Sequence, residues 1–155
     1  MSVDIAQSAR EYIDRGLPII PICSHDHGGM SVKHKERCKS PGKSPIIKQW
    51  STKSSTSEEE FEEWYKRTPT MNIGLVLGQS EMFNIMGVDI DGDLGDRAWA
   101  ELEDQHFIPE TWEFITGSGG RRLLFLLPDG MVTKKHKIEF AEGHEELAFI
   151  AEGQQ

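Results

Sequence analysis

The sequence predicts an α+β fold, and three observations carry that expectation. Apolar runs of strand length come in neighbouring pairs across short turns, at residues 72–78 with 83–90 and at 111–117 with 121–128. Stretches of helical period fall between these pairs. The order is therefore hairpins with helices between them, not the regular strand–helix–strand series of a parallel sheet.

Each element has a local reason. From Ser2 to about Arg15 the chain reads as a helix, with Ile5, Ala9, Tyr12 and Ile13 on one face and Gly16 as its stop. Residues 17–22 (LPIIPI) are short, apolar and β-branched, hence a strand. A polar segment follows from Cys23 to about Lys48, too long for a simple turn and expected to be functional or held by something. Ser57 and Glu60 form a capping box for a helix whose buried stripe is Phe61, Trp64 and Tyr65 and whose end carries Lys66 and Arg67. Residues 72–78 and 83–90 are strands, expected to form a hairpin around residues 79–82. From Asp96 to about Gln105 a helix turns Ala98, Trp99 and Leu102 inward. Residues 111–117 and 121–128 are strands joined by a Ser-Gly-Gly turn, and a last strand spans Glu146 to Ile150.

Composition narrows the function. The chain has 155 residues, the length of one ordinary domain. Its net charge is −9, from 17 basic and 26 acidic residues. That disfavours a surface coated wholesale by nucleic acid but leaves room for a local basic groove. No apolar run approaches the roughly 20 residues of a membrane span, so no membrane partner is expected. The N-terminus lacks a charged-then-apolar leader pattern, and the expected location is the cytoplasm. There, two cysteines point to free thiols or metal ligands more than to a disulfide.

Residues 86–94 read MGVDIDGDL. On a strand, Asp89 and Asp91 point to the same face, with Ile90 opposite. Two like charges side by side need a neutralising partner. A divalent cation with oxygen ligands, Mg²⁺ or Mn²⁺, is one such partner and commonly bridges protein carboxylates to phosphates. The plainer alternative is a strand end running into an acidic turn. DIDGDL also resembles the first motif of haloacid-dehalogenase-type phosphatases, but Asp93 stands where that motif has Thr, and only a short stretch of chain follows. Phosphohydrolase chemistry therefore ranks low. Downstream, Ser118, Gly119, Gly120, Arg121 and Arg122 sit in a Gly-rich turn where backbone amides and cationic side chains can meet phosphate. By itself the turn reads first as a tight hairpin, with Gly where a positive φ is needed.

Taken in order, several stretches resemble the primase–polymerase branch of the archaeo-eukaryotic primase superfamily, the N-terminal domain of bifunctional DNA primase/polymerase proteins. They are GLPIIP at 16–21, SPGKSP at 40–45 leading to Trp50, Asn72-Ile73-Gly74 with Gly78, the VDID strand, TGSGGRRLLF and the final EGQQ. The resemblance implies a mixed, largely antiparallel sheet with an RRM-like core flanked by helices. It implies transfer of nucleotides from nucleoside triphosphates to a primer or an initiating nucleotide on a DNA template in replication, with Asp89 and Asp91 as catalytic ligands of two divalent ions, Mg²⁺ or Mn²⁺. The Ser-Gly-Gly turn matches the triphosphate-binding element, and Lys43 is counted with the nucleotide-binding candidates. Two departures accompany it. The family usually has His where Arg122 stands, and its third metal carboxylate falls on Ala148, with Glu146, two residues earlier on the same strand face, as the substitute if the register shifts.

The polar segment offers Cys23, His25, His27, His34 and Cys38. Cys and neutral His are preferred zinc ligands. The first choice is structural zinc on Cys23, His25, His34 and Cys38, with His27 as the substitute for His25. The expected organisation is one catalytic domain over residues 1–155, truncated at its C-terminal side, with an inserted zinc loop at 23–48. A helicase domain downstream is the expected neighbour in the full-length chain. The competing function is a catalytically degenerate module of the same fold that binds nucleotide or single-stranded DNA without turnover.

Overall fold

In a computed structural model, the described residues are 4–116, 119–132, 134–140 and 146–151. The chain divides into two compact units, residues 1–76 and 77–154, and every described strand pairing is antiparallel.

In the first unit, α1 (Ile5–Asp14) starts at Asp4, whose carboxylate accepts from the amides of Ala6 and Gln7. The expected start at Ser2 lies outside the described residues. The strand β1 (Ile19–Ile22) is buried along its whole length. Next comes α2 (Val32–Arg37), a short helix within the polar segment, capped by the Ser31 hydroxyl accepting from the His34 amide. The third helix, α3 (Glu58–Arg67), is capped as expected by Ser57, which accepts from Glu60. The unit closes with β2 (Asn72–Leu75), paired to β1 with Ile19 opposite Leu75. Its core is Ala9, Ile19, Phe61 and Met71, with Tyr12, Ile13 and Trp64 packed around them. Full burial of a side chain such as Phe61 or Ile19 contributes about 2 kcal/mol. After β1 the polar segment leaves and returns over a closed base, where Cys23 N–H donates to Ser44 and Ile46 N–H to Pro21.

The second unit holds β3 (Gly78–Gln79), β4 (Asn84–Asp91), α4 (Gly92–Gln105), β5 (Trp112–Ile115), β6 (Arg121–Leu126), β7 (His136–Glu139) and β8 (Glu146–Ile150). The strand order is β5-β6-β4-β8-β7, with β3 pairing the start of β4. The crossover from β4 through α4 to β5, with β6 and β8 flanking β4, is the split β-α-β arrangement of an RRM-like core. One face of the sheet is apolar: Val88, Ile90, Leu123 and Leu147 pack against Trp99 of α4.

The expected α+β, largely antiparallel architecture stands, with local corrections. The strand expected over 72–78 is split: β2 pairs with β1, and only Gly78 and Gln79 pair with β4. Continuous apolar character could not show that the partner changes at Val76, whose amide donates to Pro18. The helix expected from Asp96 starts four residues earlier, at Gly92. Glycines at 92 and 95 disguise it, because Gly is a poor helix former. Packing explains Gly95: a Cβ there would lie 2.6 Å from the Glu146 carbonyl oxygen. Two short elements, α2 and β7, were not expected, since HKIE and VKHKER are mostly polar.

Candidate functional site

The strand β4 lies at the middle of the sheet, so both its edges are paired and its residues are fixed by two neighbours. On the face opposite α4, Asp89 has Arg122 beside it on β6 and Ala148 on β8. Arg122 holds Asp89 with a two-pronged ion pair, Nε to Oδ1 at 2.5 Å and Nη2 to Oδ2 at 2.8 Å. Asp91 lies opposite Glu146. The Lys137 ammonium of β7 pairs with Glu146. Glu146 thus stands beside Asp91 with no shift of register, while Ala148 takes the place beside Asp89. Asp91 also occupies the N-cap position of α4 without capping it, and the positive end of that helix favours its charge.

The Gly-rich turn closes against this face. Thr116 N–H donates to the Gly120 carbonyl at 2.8 Å, and Gly119 N–H to Thr116 at 2.9 Å. A Cβ at Gly120 would fall 2.0 Å from Asp91 Oδ1. The glycine therefore admits the Asp91 carboxylate close to the backbone. Ser118 lies outside the described residues. Arg121 alternates to the other face, where it binds Glu113 on β5 and Asp96 on α4. Its guanidinium holds the Glu113 carboxyl below its ordinary range, and the pair of acids raises Arg121 in turn. The structure brings Arg122, and not Arg121, to the aspartates. Lys43 is an exposed residue of the first unit, in a turn where its amide donates to Ser40.

Three carboxylates on one sheet face supply the oxygen-only donors that Mg²⁺ or Mn²⁺ takes. Two of them already carry a cation from the chain itself, Arg122 on Asp89 and Lys137 on Glu146. Their donor chemistry suits a hard divalent ion, but the three carboxylates do not gather within 4.8 Å of one another as the Cys/His group of the polar segment does.

The second cluster is in the polar segment. Cys23, His27, His34 and Cys38 each place a ligand atom within 4.8 Å of all the others, and this is the one such group of three or more among the described residues. His25, the first choice from spacing, is exposed. His27 takes its place because it adopts a left-handed backbone conformation, φ 56°, after the turn closed by its amide on Ser24. Spacing alone could not reveal that reversal. The two sulfurs are 3.9 Å apart. A disulfide needs about 2.05 Å, whereas two thiolates at about 2.3 Å from one tetrahedral zinc are separated by about 3.8 Å. His27 Nε2 and His34 Nε2 are buried without a hydrogen-bond partner, an arrangement that a ligand would relieve. Ser44, which the sequence did not single out, lies 3.1 Å from the Cys38 sulfur. Its hydroxyl, helped by His27, the Ser40 backbone and Cys23, lowers the Cys38 thiol to about 6. The residues present fit zinc.

Residues 9–155 match the family described as bifunctional DNA primase/polymerase, N-terminal, or Prim-Pol. The chain belongs to the Prim-Pol family. A comparison with curated proteins returned no match. Prim-Pol membership carries a primase/polymerase-type function, a nucleotidyltransferase-like enzyme, and DNA and nucleotides as substrates. No helix among the described residues is long and apolar enough to cross a membrane.

Proposed function

We propose that this Prim-Pol chain transfers nucleotides from nucleoside triphosphates to a DNA primer at the Asp89–Asp91 face. The observation that supports this most is the placement of Asp89 and Asp91 on the central strand with Glu146 opposite Asp91. Divalent ions bound there supply positive charge for the triphosphate and the developing oxyanions. Asp89, Asp91 and Glu146 are the residues to hold them. For Asp89 this means exchanging Arg122, whose fork-shaped cation is then available to triphosphate oxygens. Arg122 is permanently charged and replaces only the binding part of a histidine's repertoire, not its proton transfer. Gly120 keeps the turn close to Asp91, and Arg121 fastens β6 to β5 and α4.

The test is calorimetric titration with a nucleoside triphosphate and Mn²⁺, beside incorporation of labelled nucleotide on a primed DNA template. Wild type is expected to bind in a metal-dependent way, and Asp89→Ala/Asp91→Ala to lose both binding and, by on the order of a thousandfold, incorporation. Unchanged binding in the double variant would remove the site from this face. Ala148 beside Asp89 favours the second reading, a degenerate module. Metal-dependent binding without incorporation by wild type would select it. The phosphohydrolase alternative rests on DIDGDL alone, against a family match over 9–155.

For the Cys23–His27–His34–Cys38 group we infer structural zinc. Four protein ligands complete a tetrahedral shell and leave no position for a substrate.

A further inference from the structure

Charge is distributed unevenly along this acidic chain. Residues 23–53 contain seven Lys and Arg against only Asp26 and Glu36, in a protein whose total is −9. Lys33, Arg37, Lys39 and Lys48 line a groove of about 560 Å³ together with Ser40 and Ser44, and no carboxylate lines it. Among the described residues, none of these four cations pairs with an acid. Elsewhere, Arg10, Arg67, Arg121, Arg122 and Lys137 hold carboxylates. Unneutralised cations gathered in one groove repel one another and favour a polyanion.

Four separate cations along one groove suit the repeated charges of a phosphate chain. Lys33 and Arg37 are one helical turn apart on α2, Lys39 follows two residues after Arg37, and Lys48 lines the same groove. A six-residue helix does not hold itself in water. Its position depends on His34 within it and Cys38 at its end, which meet Cys23 and His27. His34 and Cys38 also contribute to the groove wall.

We propose that this segment is a docking surface for the phosphodiester backbone of a nucleic-acid strand, held in shape by the metal and not contacted by it. The inference rests on the zinc reading above and is independent of the Asp89–Asp91 site.

The test uses the full chain and a fluorescent single-stranded oligothymidylate, with anisotropy followed across a salt series and the zinc content of each sample measured. Lys33→Glu/Arg37→Glu/Lys39→Glu is expected to weaken binding at least about tenfold and to reduce the salt slope by about 2, from roughly 0.7 per lost phosphate contact. Its zinc content stays equal to that of wild type. Reversing charges away from the groove, Lys66→Glu/Arg97→Glu, leaves affinity within about twofold. Wild type stripped of zinc is expected to bind as weakly as the triple variant. Wild-type affinity in the zinc-loaded triple variant overturns the docking surface. Loss of triphosphate binding in that variant, with strand binding intact, assigns the groove to free nucleotide instead. Strand binding that survives zinc removal overturns the metal clamp, and wild type purified without zinc defeats the zinc reading on which it stands.

Discussion

The carboxylate face of the second unit and the Cys/His group of the first answer the same problem in opposite ways. Each gathers groups that are costly to leave without a partner. On β4 the chain supplies its own cations, Arg122 for Asp89 and Lys137 for Glu146, on strands already fixed by the sheet. In the polar segment the two sulfurs meet and two histidine nitrogens are buried with nothing to bind. The first arrangement has its partners within the chain, and on the proposed function it would exchange them for an ion. On the zinc reading, the second is completed by a metal, which would give the two sulfurs and two ring nitrogens their common partner.

The largest test of that difference is metal removal. Stripping zinc is expected to forfeit on the order of 10 kcal/mol of binding free energy, comparable with the whole stability of a domain. Amide exchange in residues 23–48 should then become fast, with the thermal transition lowered, while β4 and β8 stay protected. Withholding Mg²⁺ or Mn²⁺ should change neither. Equal exchange with and without zinc would erase the contrast.

A smaller effect sharpens the carboxylate side. Gly120→Ala places a methyl 2.0 Å from Asp91 Oδ1 and 3.0 Å from the Ile90 carbonyl oxygen. Overpacking of this kind costs about 1–3 kcal/mol. Denaturant unfolding should show that loss, and calorimetry a loss of Mn²⁺-dependent triphosphate binding. The smallest effect probes the built-in cation. Arg122→Ala removes the partner of a partly exposed acid and should cost about 1 kcal/mol. Mn²⁺ titration should then show tighter binding, since Asp89 no longer exchanges an ion pair. Weaker Mn²⁺ binding would mean that Arg122 helps to assemble the site instead of competing for it.

Much of this was legible locally. The pairing of Asp89 with Asp91 on one face follows from the two-residue period of a strand, and VDID is indeed the end of β4. Ser57 before three glutamates specified the start of α3. Glu146 was readable as a carboxylate on the last strand, but only the β4–β8 register puts it beside Asp91. Arg121 and Arg122 are adjacent and chemically alike in sequence; strand alternation sends one to Asp89 and the other to Glu113 and Asp96. The exchange of His25 for His27 depends on one residue's positive φ, which no periodicity encodes.

By itself, the sequence determined the α+β class, most of the elements, the paired aspartates and the collection of Cys and His ligands, because these depend on neighbours a few residues away. The tertiary structure decided the partner of β2, the start of α4 against β8, the choice of His27 and the ion pairs that occupy Asp89 and Glu146. These depend on segments far apart in the chain, and only their packing fixes which donor meets which acceptor.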